Sequence, residues 1–430
     1  MTTVVQRLRG APRCINGDRL LARIDELRCI GATAGGGVSR PAFGPADVRA
    51  RELVACYMRE AGLSVRVDAA ANLLGSRAGT DPRLGAIVLG SHLDTVPDGG
   101  ALDGAYGVLA AVEVAHTLHE HRIRLDHPVL VAAFSNEEGI AGSSAMFGSR
   151  AAAGAVGREE LATEIHNGRT LAALVDGAGG DSVRLDSARW DPSELACYLE
   201  LHIEQGPVLQ NQHRQIGVVT AITGRLTIEI VITGEANHGG TTPMNARRDA
   251  LVAGARMVLV VRELAASAGV VRVATVGSCT TAPGAWNVVP GQVRLVVDVR
   301  DVDDAAISEG VARLRTQAHR VAAETGASID VTPLQFVAPA SCDERVHDAI
   351  AGSAADCGLT FLDMPSGAGH DAQWIADITP MGMIFVPSRD GISHSPREWS
   401  APADLVNGAN VLLGATLTEG GAARVRGRDQ

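Results

Sequence analysis

"AIVLGSHLDTVPDGGALDGAYGVLAAVEVAHTLHEHRIRLDHPVLVAAFSNEEG", residues 86–139, holds several patterns in one stretch. The runs "AIVL" and "VLVAAF" are apolar at every position, as in strands buried on both faces rather than on one. Between them "YGVLAAVEVAHTLHEH" carries apolar residues nearly all round at helical spacing, which predicts a buried helix. Strand, helix and strand in succession predict a mostly parallel α/β sheet covered by helices on both faces. The first strand runs into "GSHLDTVPDGGALDG" and the second into "SNEEG", so polar residues gather where both buried strands end.

Outward from this stretch the same alternation holds from about residue 16 to 212. "NGDRLLARIDELRCIG" predicts a helix capped by Asn16 or Asp18, and "GPADVRARELVACYMREAGL" a second one ending at Gly62. Two short strands follow, the first in "LSVRVDAAANLLGSRAG". Near residue 214 the pattern changes to strict alternation. Leu226, Ile228, Ile230 and Ile232 share one face of "RLTIEIVITG", with Arg225, Thr227 and Glu229 opposite. Val293, Leu295, Val297 and Val299 share one face of "VRLVVDVRD", with Arg294, Asp298 and Arg300 opposite. Such strands make an antiparallel sheet packed on one side. The helical stretches "NARRDALVAGARMVLVVRELAAS" and "DDAAISEGVARLRTQAHRVAAETG" can cover its apolar face. The expected fold is therefore α/β, with residues 1–213 and 334–430 forming the main domain and 214–333 an inserted, smaller α+β domain. "MGMIFVP" supplies a further buried strand after the insertion.

At 430 residues the chain exceeds the roughly 250–300 at which one hydrophobic core stops growing, in keeping with two domains. Charged residues make up 20% and hydrophobic ones 46%, ordinary for a globular protein. The formal charge of −11 is spread along the chain without a long Lys/Arg run, which argues against nucleic acid or an anionic membrane as partner. No apolar run reaches the ~18 residues of a membrane span, and the N-terminal stretch lacks the apolar core of an export signal. Seven scattered cysteines without a C-x-x-C pair read as reduced thiols. The expectation is a soluble protein of the cytoplasm.

In an open α/β sheet, ligands bind beyond the carboxyl ends of the strands. Here the strand ends carry His92 and Asp94 in "VLGSHLD", Glu137 and Glu138 in "AAFSNEE", His202 and Glu204 in "ELHIEQ", and His394 in "IFVPSRDGISH". Asp103 follows His92 across the glycine-rich turn, just before the helix. Imidazole and carboxylate are donors for Zn²⁺ and its neighbours Mn²⁺, Co²⁺ and Ni²⁺. Singly, each has an ordinary alternative: a hydrogen-bonded surface histidine, a pair of solvated acids, a "DGG" turn. Their joint occurrence at the ends of one sheet favours a site for two divalent ions. Asp94, two residues after His92 on the same strand face, is expected to orient that imidazole by accepting its other N–H, while Asp98 belongs to the turn.

Together "GSHLDTVPDGGALDG", "FSNEEG", "LHIEQGPVL", "GEANHGGTTPMNARRDAL", "NVVPGQ" with "DVRD", and "SGAGHDAQ" with "ISHSPREWS" resemble one known family. It is the amidase, hydantoinase and carbamoylase family of N-carbamoyl-L-amino-acid hydrolases and allantoate amidohydrolases, within the superfamily of two-metal peptidases and acylases. The similarity runs from about Asn16 to Thr418, with the motifs in the family's order. By this resemblance His92 binds one metal ion, Asp103 bridges two, Glu138 and His394 serve with the bridge, and His202 completes the five ligands. The peptidase branch generally has a carboxylate at the position of His202, so the histidine points to the carbamoylase branch. Glu137 matches the general base, since neighbours on an extended segment point in opposite directions and can divide the two tasks. His238 matches a donor to the substrate's oxygen, Asn287 and Arg300 the groups that hold its carboxylate, and Gln205 and Gly369 further substrate contacts. His370 and Asp371 are expected to support the ligands. Alternation itself puts Arg300 on the face away from the core, where it can grip a carboxylate bidentately or pair with Asp298 or Asp301. The resemblance also makes the main domain catalytic and makes residues 214–333 a lid that pairs two subunits in a homodimer, lends residues across it and closes over substrate.

An amide or ureido carbon is a poor electrophile because nitrogen donates into the carbonyl, so hydrolysis needs a strong nucleophile and a polarised oxygen. Metal ions can supply both, while Glu137 can take a proton from attacking water and return it to the departing nitrogen. The implied activity is cleavage of the carbamoyl or ureido C–N bond of a small carboxylate, foremost an N-carbamoyl-L-amino acid, releasing CO₂ and ammonia. Allantoate and other ureido acids stay open, since one pocket for a ureido group and a carboxylate serves them all. An acyl-amino-acid deacylase or dipeptidase is a rival that His202 speaks against. A metal-dependent binding protein without catalysis is another, against which Glu137 stands alongside all five ligands. "NHGG" for the family's "HAG", Gln210 for Glu and "AAN" at 70–72 for "GN" are departures that bear on specificity and remove no ligand.

Overall fold

The computed structural model describes residues 14–139, 144–165 and 168–421. Helices α1 (Gly17–Arg28) and α2 (Pro45–Glu60) come first. Asn16 caps α1 by accepting the Arg19 N–H, and α2 starts on Pro45, whose missing N–H is not needed at a first helical position. Strands β1 (Ser64–Val67), β2 (Leu73–Arg77), β3 (Ala86–His92), β4 (Val129–Phe134), β5 (Leu195–Ile203) and β6 (Ile216–Ile222) follow, with helix α3 (Ala105–Glu120) between β3 and β4. The stretch 86–139 is thus strand, helix, strand, with β3 and β4 parallel from Ile87↔Val129 to His92↔Phe134. Helix α3 is buried on nearly every side. Its interior acid Glu113 is matched by Arg19, whose Nε and Nη2 donate to it at 2.8 and 2.7 Å.

From the last residues of β6 the chain builds a separate unit, Ala221–Ala340. Strands β7 (Gly224–Thr233), β8 (Val273–Ala282), β9 (Gln292–Asp301) and β10 (Ser328–Val337) form an antiparallel sheet in the order β8-β9-β7-β10, accompanied by helices α4 (Ala250–Ala266) and α5 (Asp304–Thr325). Alternation decides its core. The inward residues Leu226, Ile228, Ile230, Ile232, Val293, Leu295, Val297 and Val299 are all buried, in one cluster with Met257 and Val261 of α4 and Ile307 and Leu314 of α5. The two-residue strands Asn237–His238 and Val288–Val289 form a small ladder of their own.

The first unit is completed by α6 (Glu344–Asp356), β11 (Phe361–Ser366), β12 (Met381–Val386) and α7 (Pro402–Glu419). Its nine-stranded sheet runs β1-β2-β4-β3-β5-β12-β6 and then Ala340–Ser341, with β11 also paired to β6. The middle is parallel: β4, β3, β5 and β12 point one way, whereas β2 joins β4 and β6 joins β12 antiparallel. The carboxyl ends of four strands therefore lie side by side.

The insertion begins after Thr220 and ends at Ala340, later at both ends than the expected 213/214 and 333/334. Gly217 and Val218 are held in the large sheet by Phe385 and Ile384, and β10 stays paired to β7 up to Val337↔Arg225. At the junction the Cys342 N–H donates to the Thr220 carbonyl at 2.9 Å. Among the described residues no helix is long and apolar enough to cross a membrane. All seven cysteines are free.

Candidate metal centre

His92 closes β3, His202 lies near the end of β5, Glu137 and Glu138 follow β4, and His394 follows β12. Asp103, in the turn before α3, stands among them. Its Oδ1 is 3.5 Å from His92 Nε2 and 3.0 Å from His202 Nε2, and its Oδ2 is 3.1 Å from His394 Nε2. Glu138 Oε2 lies 3.6 Å from the same His394 nitrogen. Two donor groups result, His92–Asp103–His202 and Asp103–Glu138–His394, each with donor atoms within 4.8 Å of one another. Tetrahedral ligands ~2.0–2.1 Å from an ion stand roughly 3.4 Å apart, so each group fits one divalent ion. Glu138 Oε1 is also buried without a hydrogen-bond partner among the described residues, an acceptor that a cation would satisfy.

The imidazoles are held in the tautomer that a metal needs. His92 Nδ1 faces the carbonyl of Asp94 at 3.0 Å, and His202 Nδ1 that of Ile203 at 2.8 Å. A carbonyl only accepts, so each Nδ1 carries a proton and each Nε2, turned toward Asp103, is the nitrogen left to bind an ion. The Gly104 N–H also lies 3.0 Å from His202 Nε2. The expectation for Asp94 is thereby corrected. Its carbonyl orients His92, whereas its carboxylate Oδ1 stands 3.7 Å from Nδ1. The carboxylate instead accepts the N–H groups of Glu137 at 3.2 Å and Glu138 at 3.1 Å. Two adjacent amides that have left the β4 ladder are the better use of a charged acceptor.

The turn geometry is demanding. Gly104 has φ +61°, and a side chain there would collide with the His92 ring. Asn136, Gln205 and His394 take positive φ without being glycine, at 52°, 57° and 54°. Strained backbone of this kind gathers at functional sites, held by its surroundings.

Proton affinities reflect the crowding of charge. Burial pushes Glu137 well above the usual carboxylate range, with Glu138 and Asp371 adding to the effect and His92 opposing it. Glu137 stands outside both donor groups, its Oε2 3.7 Å from His92 Nε2. Burial, then Asp103, pushes Glu138 up to about 7. Asp103 in turn, against the effect of burial, is held well below its usual range by the three histidines. The hydrogen bond to Asp103 raises His394 to about 9.

Around the donors, His370 bonds Ser366 Oγ at 2.9 Å and packs edge-on to the His202 ring at 4.7 Å. Burial, with His202 adding, pushes its pKa well down. Asp371 accepts from Ser149 Oγ at 2.5 Å and is pushed up to about 8 by burial, with Glu200 adding. Gln205 Nε2 donates to Asp103 Oδ2 at 2.7 Å. Gly369 precedes His370 and faces Met146 and Gln373. Glu204 does not join the donors, because its carboxylate caps the Val208 and Leu209 N–H groups at 2.7 and 2.9 Å. Two acids absent from the sequence reading matter here. Fully buried Glu200 accepts from Ser91 Oγ, Tyr198 OH and the Ala372 N–H at 2.8, 3.0 and 3.0 Å. Glu398 accepts the N–H groups of Leu102 and Asp103. A lone acid inside the apolar strand "LACYLELHI" was the available signal for Glu200, and for Glu398 it was its place four residues after His394 in "ISHSPREWS".

In the inserted unit, His238 and Asn287 come together. His238 pairs with Val288, and the Gly239 N–H donates to the Asn287 carbonyl at 2.7 Å. His238 Nδ1 accepts from the Gly240 and Thr241 N–H groups at 3.0 and 3.1 Å, which leaves Nε2 to carry the proton. Arg300 does not join them. It lies toward the far end of β9, with Nε and Nη2 on the two carboxylate oxygens of Asp298 at 2.8 and 3.1 Å.

The sequence pattern of peptidase family M20/M25/M40 matches residues 88–418. The N-carbamoyl-L-amino acid amidohydrolase of Geobacillus stearothermophilus is 42% identical over 398 residues, 93% of this chain and 97% of that protein. The ureidoglycolate hydrolase of Oryza sativa subsp. japonica is 33% identical over 418 residues, 94% of this chain and 84% of its own. A solved amidase of the hydantoinase/carbamoylase family from Burkholderia multivorans superposes with a TM-score of 0.87 at 37% identity, covering 96% of this chain and 99% of that one. The family pattern thus runs through the strands that carry both donor groups, and the chain belongs to peptidase family M20/M25/M40, in its hydantoinase/carbamoylase branch of amidases.

Proposed function

We propose that this protein is a two-metal amidohydrolase that removes the carbamoyl group of N-carbamoyl-L-amino acids, releasing the amino acid, CO₂ and ammonia. The observation that carries the reading is Asp103, which offers one oxygen to each donor group. His92, Asp103 and His202 would hold one divalent ion, and Asp103, Glu138 and His394 the other, drawn from Zn²⁺, Mn²⁺, Co²⁺ and Ni²⁺. Bound there, the ions would supply Lewis acidity, which makes water a nucleophile near neutral pH and polarises the ureido carbonyl.

Glu137 takes the proton of the attacking water and passes it to the departing nitrogen. Its carboxylate lies outside both donor groups, 3.7 Å from His92 Nε2, which supports that duty. His238, protonated on Nε2, donates to the substrate's oxygen. Asn287 and Arg300 take the carboxylate, Gln205 and Gly369 line the remaining contacts, and His370 and Asp371 brace the ligand shell. Asn287 lies beyond the Gln292 end of β9, while Arg300 is eight strand residues farther, roughly 26 Å at ~3.3 Å per residue. A small substrate cannot span that distance within one subunit. This supports a homodimer in which each site draws His238 and Asn287 from one copy and Arg300 from the other, with the inserted unit as the pairing element. The free state of all seven cysteines supports the cytoplasm as its compartment.

The second reading, hydrolysis of ureidoglycolate or allantoate, is favoured by the 33% identity to the Oryza sativa ureidoglycolate hydrolase. A screen of metal-depleted protein reloaded with each ion, against an N-carbamoyl-L-amino acid, allantoate, ureidoglycolate and β-ureidopropionate, decides by ammonia release. Fastest turnover is expected on the N-carbamoyl-L-amino acid. Acetate release from N-acetyl amino acids, or tight binding of ureido acids without turnover, would overturn the proposal.

A further inference from the structure

Asp103 and His394 belong to segments 291 positions apart in the chain, yet their side chains meet at 3.1 Å. His394 is poorly embedded: it is exposed, and its backbone sits at φ +54°. Something other than packing must hold its loop in register, and Glu398 spans the gap. Oε1 of Glu398 accepts the N–H of Leu102 at 2.9 Å and that of Asp103 at 3.1 Å. Oε2 accepts the hydroxyl of Ser393, the residue before His394, at 2.7 Å. Ser393 Oγ also lies 3.2 Å from Asp103 Oδ2. One carboxylate thus ties the main chain of Asp103 to the loop that presents His394. Gly100 makes room for it, since a Cβ at that position would fall on the Glu398 carboxylate.

We propose that Glu398 is the positioning residue of the second donor group, holding the His394 loop against the Asp103 turn so that Asp103, Glu138 and His394 stay within reach of one ion. The first group depends on it less, because it shares only Asp103, while its other two donors, His92 and His202, are fixed by the carbonyls of Asp94 and Ile203. This rests on the two-ion reading above. A loop anchor of purely structural value would instead weaken both ions together, or neither.

The test is calorimetric titration of the metal-depleted full-length protein with Mn²⁺ and with Zn²⁺, alongside bound metal per chain by mass spectrometry. Glu398→Ala is expected to keep the first ion within about threefold of wild type and to weaken the second by about 10–100-fold, the usual effect of removing a group that orients ligands. Glu398→Gln, which keeps one acceptor oxygen, is expected to restore most of the loss. Gly100→Ala displaces the carboxylate without altering Glu398. Gly100 lies outside the positive-φ positions, so alanine suits its backbone and should reproduce the defect. The double variant should be no worse than either single one, as expected of two changes acting through one contact. Wild type with two ions, and variants that lose both equally or neither, would overturn this inference alone. Wild type that takes up a single ion would overturn the two-ion reading as well.

Discussion

The main-chain carbonyl of Asp94 takes the Nδ1–H of His92 at 3.0 Å, so that side of the imidazole is held by main chain and not by the Asp94 carboxylate. The carboxylate of Asp94 is free to seat Glu137 and Glu138 by their amides. Asp94→Asn should therefore leave His92 in place and keep one acceptor while losing the charged pair of bonds. We expect full metal content and kcat lower by about 10–100-fold, measured on metal-quantified enzyme. Loss of metal to the extent seen in His92→Ala would contradict this division of labour.

Glu137 and Glu138 are neighbours with different surroundings, and their amide variants should separate. Glu137→Gln is expected to retain both ions and lose roughly 10²–10⁴-fold in kcat, the range for a missing general base. Glu138→Gln is expected to lose an ion first and activity as a consequence, recovering in part at high metal concentration. Exchange of these two behaviours would mean that the roles are reversed.

Metal uptake should depend on pH in a definite sense. His394 holds its proton up to about 9 and Glu138 up to about 7, and an ion needs both deprotonated. Protons compete with the ion below those values and cease to compete above them. Affinity should rise as pH climbs from about 6 to about 9, with protons released on binding. Calorimetry at fixed pH in buffers of different ionisation enthalpy reads the release directly, and an affinity flat over this range would count against the assignment.

The placement of Asn287 beyond one end of β9 and of Arg300 near the other yields a complementation test. Asn287→Ala and Arg300→Ala should each be nearly inactive alone. If each site draws on both subunits, a mixed dimer contains one site with both residues intact. Random exchange of two copies should then restore about a quarter of wild-type activity, as expected for a twofold pair. No recovery after verified subunit exchange would place both residues in the same copy's site.

Much of this was legible in the sequence because it depended on local pattern. Continuous apolar runs gave β3 and β4, and strict alternation gave β7 and β9 with every inward residue buried. Donors at strand ends could be read because a parallel sheet places those ends together. What escaped was whatever relied on a backbone atom or on distant pairing. Asp94 was expected to act by its carboxylate, since sequence shows side chains and not the nearer carbonyl. Glu204 looked like His202's companion, but the amides of Val208 and Leu209, four and five residues on, claimed it. Where β2 meets β4 and β6 meets β12 the large sheet turns antiparallel, a pairing direction that periodicity cannot reveal.

The bond between Cys342 N–H and the Thr220 carbonyl has a practical side for protein engineering. The two cut points of the insertion are already neighbours, at a spacing that a hairpin turn of ~2–5 residues bridges. Deleting residues 221–340 and joining the ends with such a turn would leave every donor of both groups in a single continuous scaffold. A miniature of this kind would be a chassis for grafting other substrate-recognition modules onto an unchanged metal cradle.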